Sequence, residues 1–282
     1  MLIKAGQVAV VTGAAQGLGH ALAAGFVDRG VSVVLADTAT HRLHTTAEAF
    51  TARGGRVLPV ITDVSDAAAL SALALRTLDH FGRVDVVVNN AGVASGDGQP
   101  LWRADPPEWQ RVVAVNLLGV VYGIQAFVPH LVAAGAGHVV NIASLAGLMA
   151  TPFGGAYCAS KHAVVAVSET LRDELEVMGL PIGVTVACPG LVRTPLGEGM
   201  LTLTQNDDAW GAHLPDMSRE QREQVRAGLE PVLATVMEPE VAAEHILAAV
   251  EADQLYALTH GDIGDGVRHR VEGILAALDA RS

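Results

Sequence analysis

Tyr157 and Lys161 stand four apart in the run Tyr-Cys-Ala-Ser-Lys. On a helix that spacing puts both side chains on one face. An ammonium beside a phenol stabilises the phenolate and lowers its pKa from the ordinary ~10. A tyrosine tuned in this way can serve as a general base near neutral pH. Ser144 lies 13 positions earlier, just past a strand-like run, where a loop can turn its hydroxyl towards the phenol. A Tyr-x-x-x-Lys pair alone is common surface decoration, so the pair needs a structural context before it means chemistry.

A second cluster begins with Thr12-Gly13-Ala14-Ala15-Gln16-Gly17-Leu18-Gly19. Gly13 permits a tight turn out of a strand, Gly17 lets backbone N–H groups approach a pyrophosphate, and Gly19 lets a helix pack closely on the strand. The start of that helix offers unpaired N–H groups and a positive dipole end to an anion. The familiar G-x-G-x-x-G spacing is not met, because Ala15 and Leu18 fill its second and third places. Asp37 ends the next strand-like run, 24 positions after Gly13. A carboxylate there can bind the adenosine ribose hydroxyls and repels a 2′-phosphate. Thr38 and Gln16 add no positive charge, which favours NAD over NADP.

These residues need elements to hold them, and the chain supplies a regular alternation. Strand-like runs fall at Gln7–Thr12, Val31–Asp37, Arg56–Ile61, Val84–Asn89, His138–Ile142, Ile182–Cys188 and Gln254–Thr259. Nearly continuous Val, Ile and Leu mark strands buried on both faces, as in a parallel sheet. Helical patterns cover 17–29, 41–53, 66–81, 107–133, 155–178, 239–252 and 264–280, and supply right-handed crossovers. The expected fold is an α/β, Rossmann-type, doubly wound and mostly parallel seven-stranded sheet with helices on both faces. The chain is expected to form one dinucleotide-binding and catalytic domain over 1–282. Residues 195–237 break the rhythm as a substrate-loop insertion, expected as a mobile loop with short helices.

In this order and spacing the motifs resemble the short-chain dehydrogenase/reductase family, whose members are single-domain and depend on NAD or NADP. The resemblance runs from Gln7 to about Leu196. It is carried by 12–19, Asp37, Asp63-Val64, Asn89-Asn90-Ala91-Gly92, Asn116, Ser144, Tyr157, Lys161 and the Pro189-Gly190 turn followed by Thr194. It implies that Tyr157 exchanges the hydroxyl proton, that Lys161 binds the nicotinamide ribose and tunes Tyr157, and that Ser144 holds the substrate oxygen. Asn116 would hold a water in the proton relay; its alternative is a structural amide in a kinked helix. Gly13, Gln16, Gly17, Leu18 and Gly19 would hold the phosphates. Asp63 and Val64 would meet the adenine, Asn90, Ala91 and Gly92 the middle of the cofactor, and Pro189, Gly190, Val192 and Thr194 the nicotinamide end.

The substrate would sit over the nicotinamide, walled by Leu145, Met149, Pro152, Phe153, Leu191, Leu196 and Met200, with Trp210 as a further candidate. These walls are apolar, which points to a hydrophobic secondary alcohol or ketone. Arg193 could bind an anion but is read first as a salt-paired surface group. The leading expectation is an NAD-dependent alcohol dehydrogenase. The alternatives are a ketone or 3-oxoacyl-thioester reductase, with Arg103 and Arg111 as thin support for a carrier, and a non-catalytic dinucleotide sensor.

Composition bounds the remaining classes. Half of the residues are hydrophobic and 17% charged, which excludes disorder. The net charge is −12 and no run of Lys or Arg occurs, which disfavours nucleic acid and anionic membranes. Residues 5–27 lack formal charge, yet Gly13, Gln16, Gly17, Gly19 and His20 interrupt any signal-like run. The long uncharged stretch between Arg111 and Lys161 is broken by Asn116, Pro129 and Asn141, so it is expected to be a buried interface. The 107–133 helix is apolar on more than one side and needs a partner, which together with the resemblance implies a homotetramer. Cys158 and Cys188 cannot build a disulfide framework, so a reducing, cytoplasmic setting is expected. No histidine spacing suggests a metal.

Overall fold

The structure is a computed structural model and describes residues 1–95, 99–198, 217–261 and 264–280. Its strands are β1 (Val8–Thr12), β2 (Ser32–Asp37), β3 (Val57–Ile61), β4 (Val86–Asn89), β5 (Gly137–Ile142), β6 (Ile182–Cys188) and β7 (Tyr256–Leu258). They form one sheet in the order β3-β2-β1-β4-β5-β6-β7, and every pair is parallel. The order reverses between β1 and β4, which opens a crevice beyond their carboxyl ends. Pro59 lies in β3, an edge strand, where its missing N–H costs little.

The helices are α1 (Gly17–Asp28), α2 (Thr40–Ala52), α3 (Ala67–Phe81), α4 (Pro106–Val113), α5 (Gly119–Ala134), α6 (Gly155–Val177), α7 (Arg219–Leu233), α8 (Pro239–Glu251) and α9 (Gly264–Asp279). Side chains alternate across the sheet as the strand period demands. Ala9, Val11, Val33, Leu35, Val86 and Val88 pack with Leu22, Phe26, Phe50, Ile246 and Leu247 from α1, α2 and α8. Val10, Val34, Val87 and Val139 pack on the other face with Leu70, Leu73, Phe127, Leu131 and Leu171 from α3, α5 and α6.

Three sequence expectations need correction. The single helix over 107–133 is two helices joined by a π-turn at Ala114–Leu118. The buried Asn116 side chain sits in that turn and bonds out of the helix, and an extra residue per turn is how a helix makes room for such a group. Secondly, 195–237 holds a regular fifteen-residue helix, α7, beyond the short helices expected. Thirdly, β7 is only three residues long, at the far edge of the sheet. Together Pro106–Ala134 is long and apolar enough to cross a bilayer; here it packs on the sheet between α3 and α6.

One buried group makes the fold sensitive to acid. His138 on β5 is fully buried, with Nε2 2.8 Å from the Thr185 hydroxyl and Nδ1 without a hydrogen-bond partner. Burial pushes its pKa down to about 4. The unfolded chain takes up this proton near 6.5, so stability is full above that value and falls as pH drops towards about 4. The loss from this residue should be about 3 kcal/mol. Urea unfolding at pH 7 and pH 4.5 should show it, and His138→Gln should flatten the difference. Equal losses in both proteins would contradict this assignment.

Candidate active site

The phosphate-loop residues and the strand ends assemble in the crevice between β1 and β4. The Thr12 hydroxyl donates to Val88 O at 3.3 Å and accepts from the N–H groups of Asn90 (2.9 Å) and Ala91 (3.1 Å). Asn90 Nδ2 donates back to Thr12 O at 2.8 Å. This clamp brings Asn90, Ala91 and Gly92 against Gly13. A Cβ on Gly13, whose φ is +67°, would lie 2.8 Å from Asn90 Nδ2 and 2.9 Å from Ala91 Cα. A Cβ on Gly19 would lie 2.2 Å from Gly13 O, so the close helix–loop approach expected of that glycine is present. Gln16 precedes α1 without capping it, which leaves the first-turn N–H groups for an anion. The Leu18 side chain is buried in the core, so only its backbone faces the loop.

Asp37 is less free than a strand-end carboxylate. One oxygen accepts from Ala15 N–H at 3.0 Å and the other from Ala39 N–H at 2.9 Å. It therefore braces the phosphate loop, and each oxygen keeps a lone pair for a further donor. Asp63 accepts from the backbone and hydroxyl of Ser65, and Val64 is buried beneath Gly119 of α5.

A second group collects where β5 and β6 leave the sheet. Leu145 N–H donates to Pro189 O at 2.8 Å and ties the two exits together. Ser144 begins a short 3₁₀ turn, Leu145–Gly147, with its Oγ accepting from Ala146 N–H. α6 packs so tightly on this turn that a Cβ on Gly147 would lie 2.6 Å from Lys161 O. That packing carries Tyr157 and Lys161 to Ser144. The Lys161 ammonium is buried, donates to Ile142 O at 2.8 Å and lies 5.7 Å from the centre of the Tyr157 ring. Tyr157 is anchored through its N–H on Ser95 Oγ, and Ser160 Oγ donates to Tyr157 O.

The pKa shifts correct one expectation. Burial pushes the Tyr157 phenol up, while a hydrogen bond with Ser144 pulls the other way. No lowering by Lys161 offsets that burial, and the ammonium, bonded to the Ile142 carbonyl, is itself pushed down to about 8. Cys188, behind Lys161, is pushed up to about 12 by burial, as suits an unreactive packing thiol.

Asn116 is completely buried. Its Oδ1 accepts from Val93 N–H at 2.8 Å, and its Nδ2 donates to Val93 O at 2.9 Å and to Ser160 Oγ at 3.3 Å. The side chain thus ties the helix to the segment after β4 and, through Ser160, to the Tyr157 turn of α6.

Residues 7–202 match the family described as short chain dehydrogenase. The chain belongs to the short-chain dehydrogenase family. A Streptomyces exfoliatus protein named 1-deoxy-11-beta-hydroxypentalenate dehydrogenase is 42% identical over 195 residues, 69% of this chain and 70% of that protein. The crystal structure of a short-chain dehydrogenase/reductase from Burkholderia phymatum in complex with NAD gives a TM-score of 0.84 at 35% identity, covering 98% and 97% of the two chains. A metagenomic short-chain oxidoreductase in complex with NADP gives 0.63 at 38% identity, covering 67% of this chain and 84% of that one. As a short-chain dehydrogenase the chain is an oxidoreductase for hydroxyl or ketone substrates that uses NAD or NADP.

Of the residues expected to wall a substrate, Leu145, Met149 and Phe153 are half-buried, Leu191 is buried, and Leu196 and Pro152 are exposed. Met200 and Trp210 lie outside the described residues. Phe153 has φ +62°, a costly conformation for an aromatic residue. Arg193 is salt-paired with Glu238 at 2.7 Å. The sequence reading missed Ser95, Ser160 and His260. Ser160 lies within the Tyr157–Lys161 run itself, whereas only the fold brings Ser95 to Tyr157 and His260 to Gly190. His260, two residues past β7 at the carboxyl edge, carried the one signal that could have found it.

Proposed function

We propose that this member of the family is an NAD-preferring dehydrogenase of a hydrophobic secondary alcohol. The reading takes residues 1–282 as one cytoplasmic catalytic domain. The observation that carries it is the gathering of Ser144, Tyr157 and Lys161 at the exit of β5, beside the glycine-lined crevice. Three glycine positions fit a dinucleotide: Gly13 and Gly19 allow the close turn, and Gly17 begins α1 with its N–H groups unengaged by a cap. When bound, the oxidised dinucleotide supplies the hydride acceptor and a positive ring charge. Ser144 holds the substrate oxygen by its hydroxyl. Tyr157 in its phenolate form, its own proton first released to solvent, takes the hydroxyl proton on its phenol oxygen, with the Lys161 ammonium as the positive charge beside it. Asn116 holds Val93 and, through Ser160, the first turn of α6. In this reading Asp63, Val64, Asn90, Ala91 and Gly92 line the adenine and central part of the cofactor, and Pro189, Gly190, Val192 and Thr194 its nicotinamide end.

The reverse reaction, ketone reduction, is favoured by one observation. Burial raises the Tyr157 pKa, the direction that suits a general acid, and Ser144 stands beside it to hold a ketone oxygen. A carrier-linked thioester is less well supported, because Arg111 is engaged by Glu108 and by Ala94 O. NAD reduction with a panel of apolar secondary alcohols, and NADH oxidation with their ketones, tests the reading. Activity with neither would overturn it.

NAD preference rests on the Asp37 charge. Asp37→Asn keeps an acceptor for the loop but removes the charge. The kcat/KM ratio of NADP to NAD should rise about tenfold or more. An unsubstituted enzyme that already prefers NADP would contradict the argument. Val121, Ile124 and Val128 on α5 are only half-buried, which supports pairing of this face with a second copy in a homotetramer. Sedimentation should report four copies; a monomer at micromolar concentration would contradict this.

A further inference from the structure

We infer that His260 is a positioning residue that latches the nicotinamide end of the site to the returning end of the 195–237 segment. The inference rests on the proposed reading of Gly190–Thr194 as nicotinamide-binding. His260 is buried, two residues past the end of β7. Its Nε2 lies 2.8 Å from Thr235 O and must donate, since a carbonyl only accepts. That fixes Nδ1 as the acceptor. Nδ1 receives Gly190 N–H at 3.2 Å and lies 2.7 Å from the Thr259 hydroxyl. The ring also lies close against Gly190. A Cβ there would stand 2.8 Å from Nδ1 and 2.9 Å from Cγ, so the imidazole itself requires glycine in the Pro189-Gly190 turn.

Beyond the latch the two segments are stitched together. Met237 N–H donates to Leu191 O at 3.0 Å and Arg193 N–H to Met237 O at 2.9 Å, across a parallel bridge between Val192 and Met237. One imidazole therefore joins the β6 exit, the β7 exit and the end of the segment after α7. It touches none of the Tyr157, Lys161 or Ser144 side chains in the hydrogen bonds of the described residues. Its effect must pass through the backbone that follows Gly190. Losing the ring leaves Gly190 N–H without its best partner, which loosens the turn rather than altering proton transfer.

The test uses the full chain with His260→Leu and His260→Asn. Amide hydrogen exchange without cofactor reads the latch, and NAD titration with steady-state kinetics reads its consequence. Leucine should speed exchange about tenfold over 189–193 and 235–238, and raise the Kd and KM for NAD about tenfold. The kcat at saturating NAD should stay within about threefold. Asparagine should recover part of the NAD affinity, because Oδ1 can accept from Gly190 N–H although the side chain is too short for Thr235 O. If the leucine variant does not fold, the asparagine variant carries the same comparison. Unchanged exchange in both segments overturns the latch. Faster exchange with unchanged NAD affinity overturns the positioning role. An unsubstituted chain that binds no dinucleotide overturns the proposed function and the positioning role with it, while exchange still judges the latch.

Discussion

Tyr157→Phe should remove about 10²–10⁴-fold of turnover, the usual contribution of a positioned acid–base group. The expected loss lies in kcat. The phenyl ring fills the same space, and the deleted hydroxyl interacts with Ser144 alone among the side chains that shift its pKa favourably. NAD affinity should therefore stay within about threefold, and the thermal midpoint should move by only a few degrees. Steady-state rates with the best alcohol, together with NAD titration, separate the two effects. A phenylalanine enzyme with undiminished kcat would remove Tyr157 from the chemistry. One that lost NAD binding instead would make the residue a packing element.

Lys161→Met should also abolish useful turnover, yet leave the folded protein as stable or more stable. Burial holds the Lys161 pKa at about 8, below its ordinary 10.5. The unfolded chain keeps the proton up to 10.5 and the folded chain only to about 8. The buried charge therefore destabilises the fold at every pH below 8, and the penalty fades as pH rises from 8 to 10.5. A shift of that size corresponds to about 3 kcal/mol at neutral pH, less whatever the Ile142 bond returns. Methionine fills the site without the charge. Urea unfolding at pH 7 should show equal or greater stability for the variant, with the gap closing towards pH 10. A methionine variant less stable at pH 7 by more than about 1 kcal/mol would show that the ammonium stabilises the fold.

Much of this was legible because strand-buried sequences are hard to mistake. Val-Ala-Val-Val in β1 and Val-Val-Val in β4 alternate between two cores, so both neighbours and both faces are apolar. The loops that follow such strands fall at one edge of a parallel sheet, and there the motif residues meet. The π-turn at Asn116 was not legible. A helix pattern gives no sign that the Asn116 side chain will hold Val93 from within a π-turn. The direction of the Tyr157 shift was misread for a related reason. Spacing brings Lys161 close to the phenol but cannot reveal how deeply the phenol is buried, and here burial sets the direction. The His260 latch joins residues 25 and 70 positions apart in the chain, a relation that exists only once β6 and β7 are paired.

The most direct test of the central claim is a crystal structure of the protein with NAD. The account predicts the pyrophosphate at the start of α1, Asp37 on the adenosine ribose, and the reactive face of the nicotinamide over Tyr157 and Ser144. A dinucleotide bound with its nicotinamide away from β5, or with the Tyr157 phenol out of reach of that ring, would contradict it.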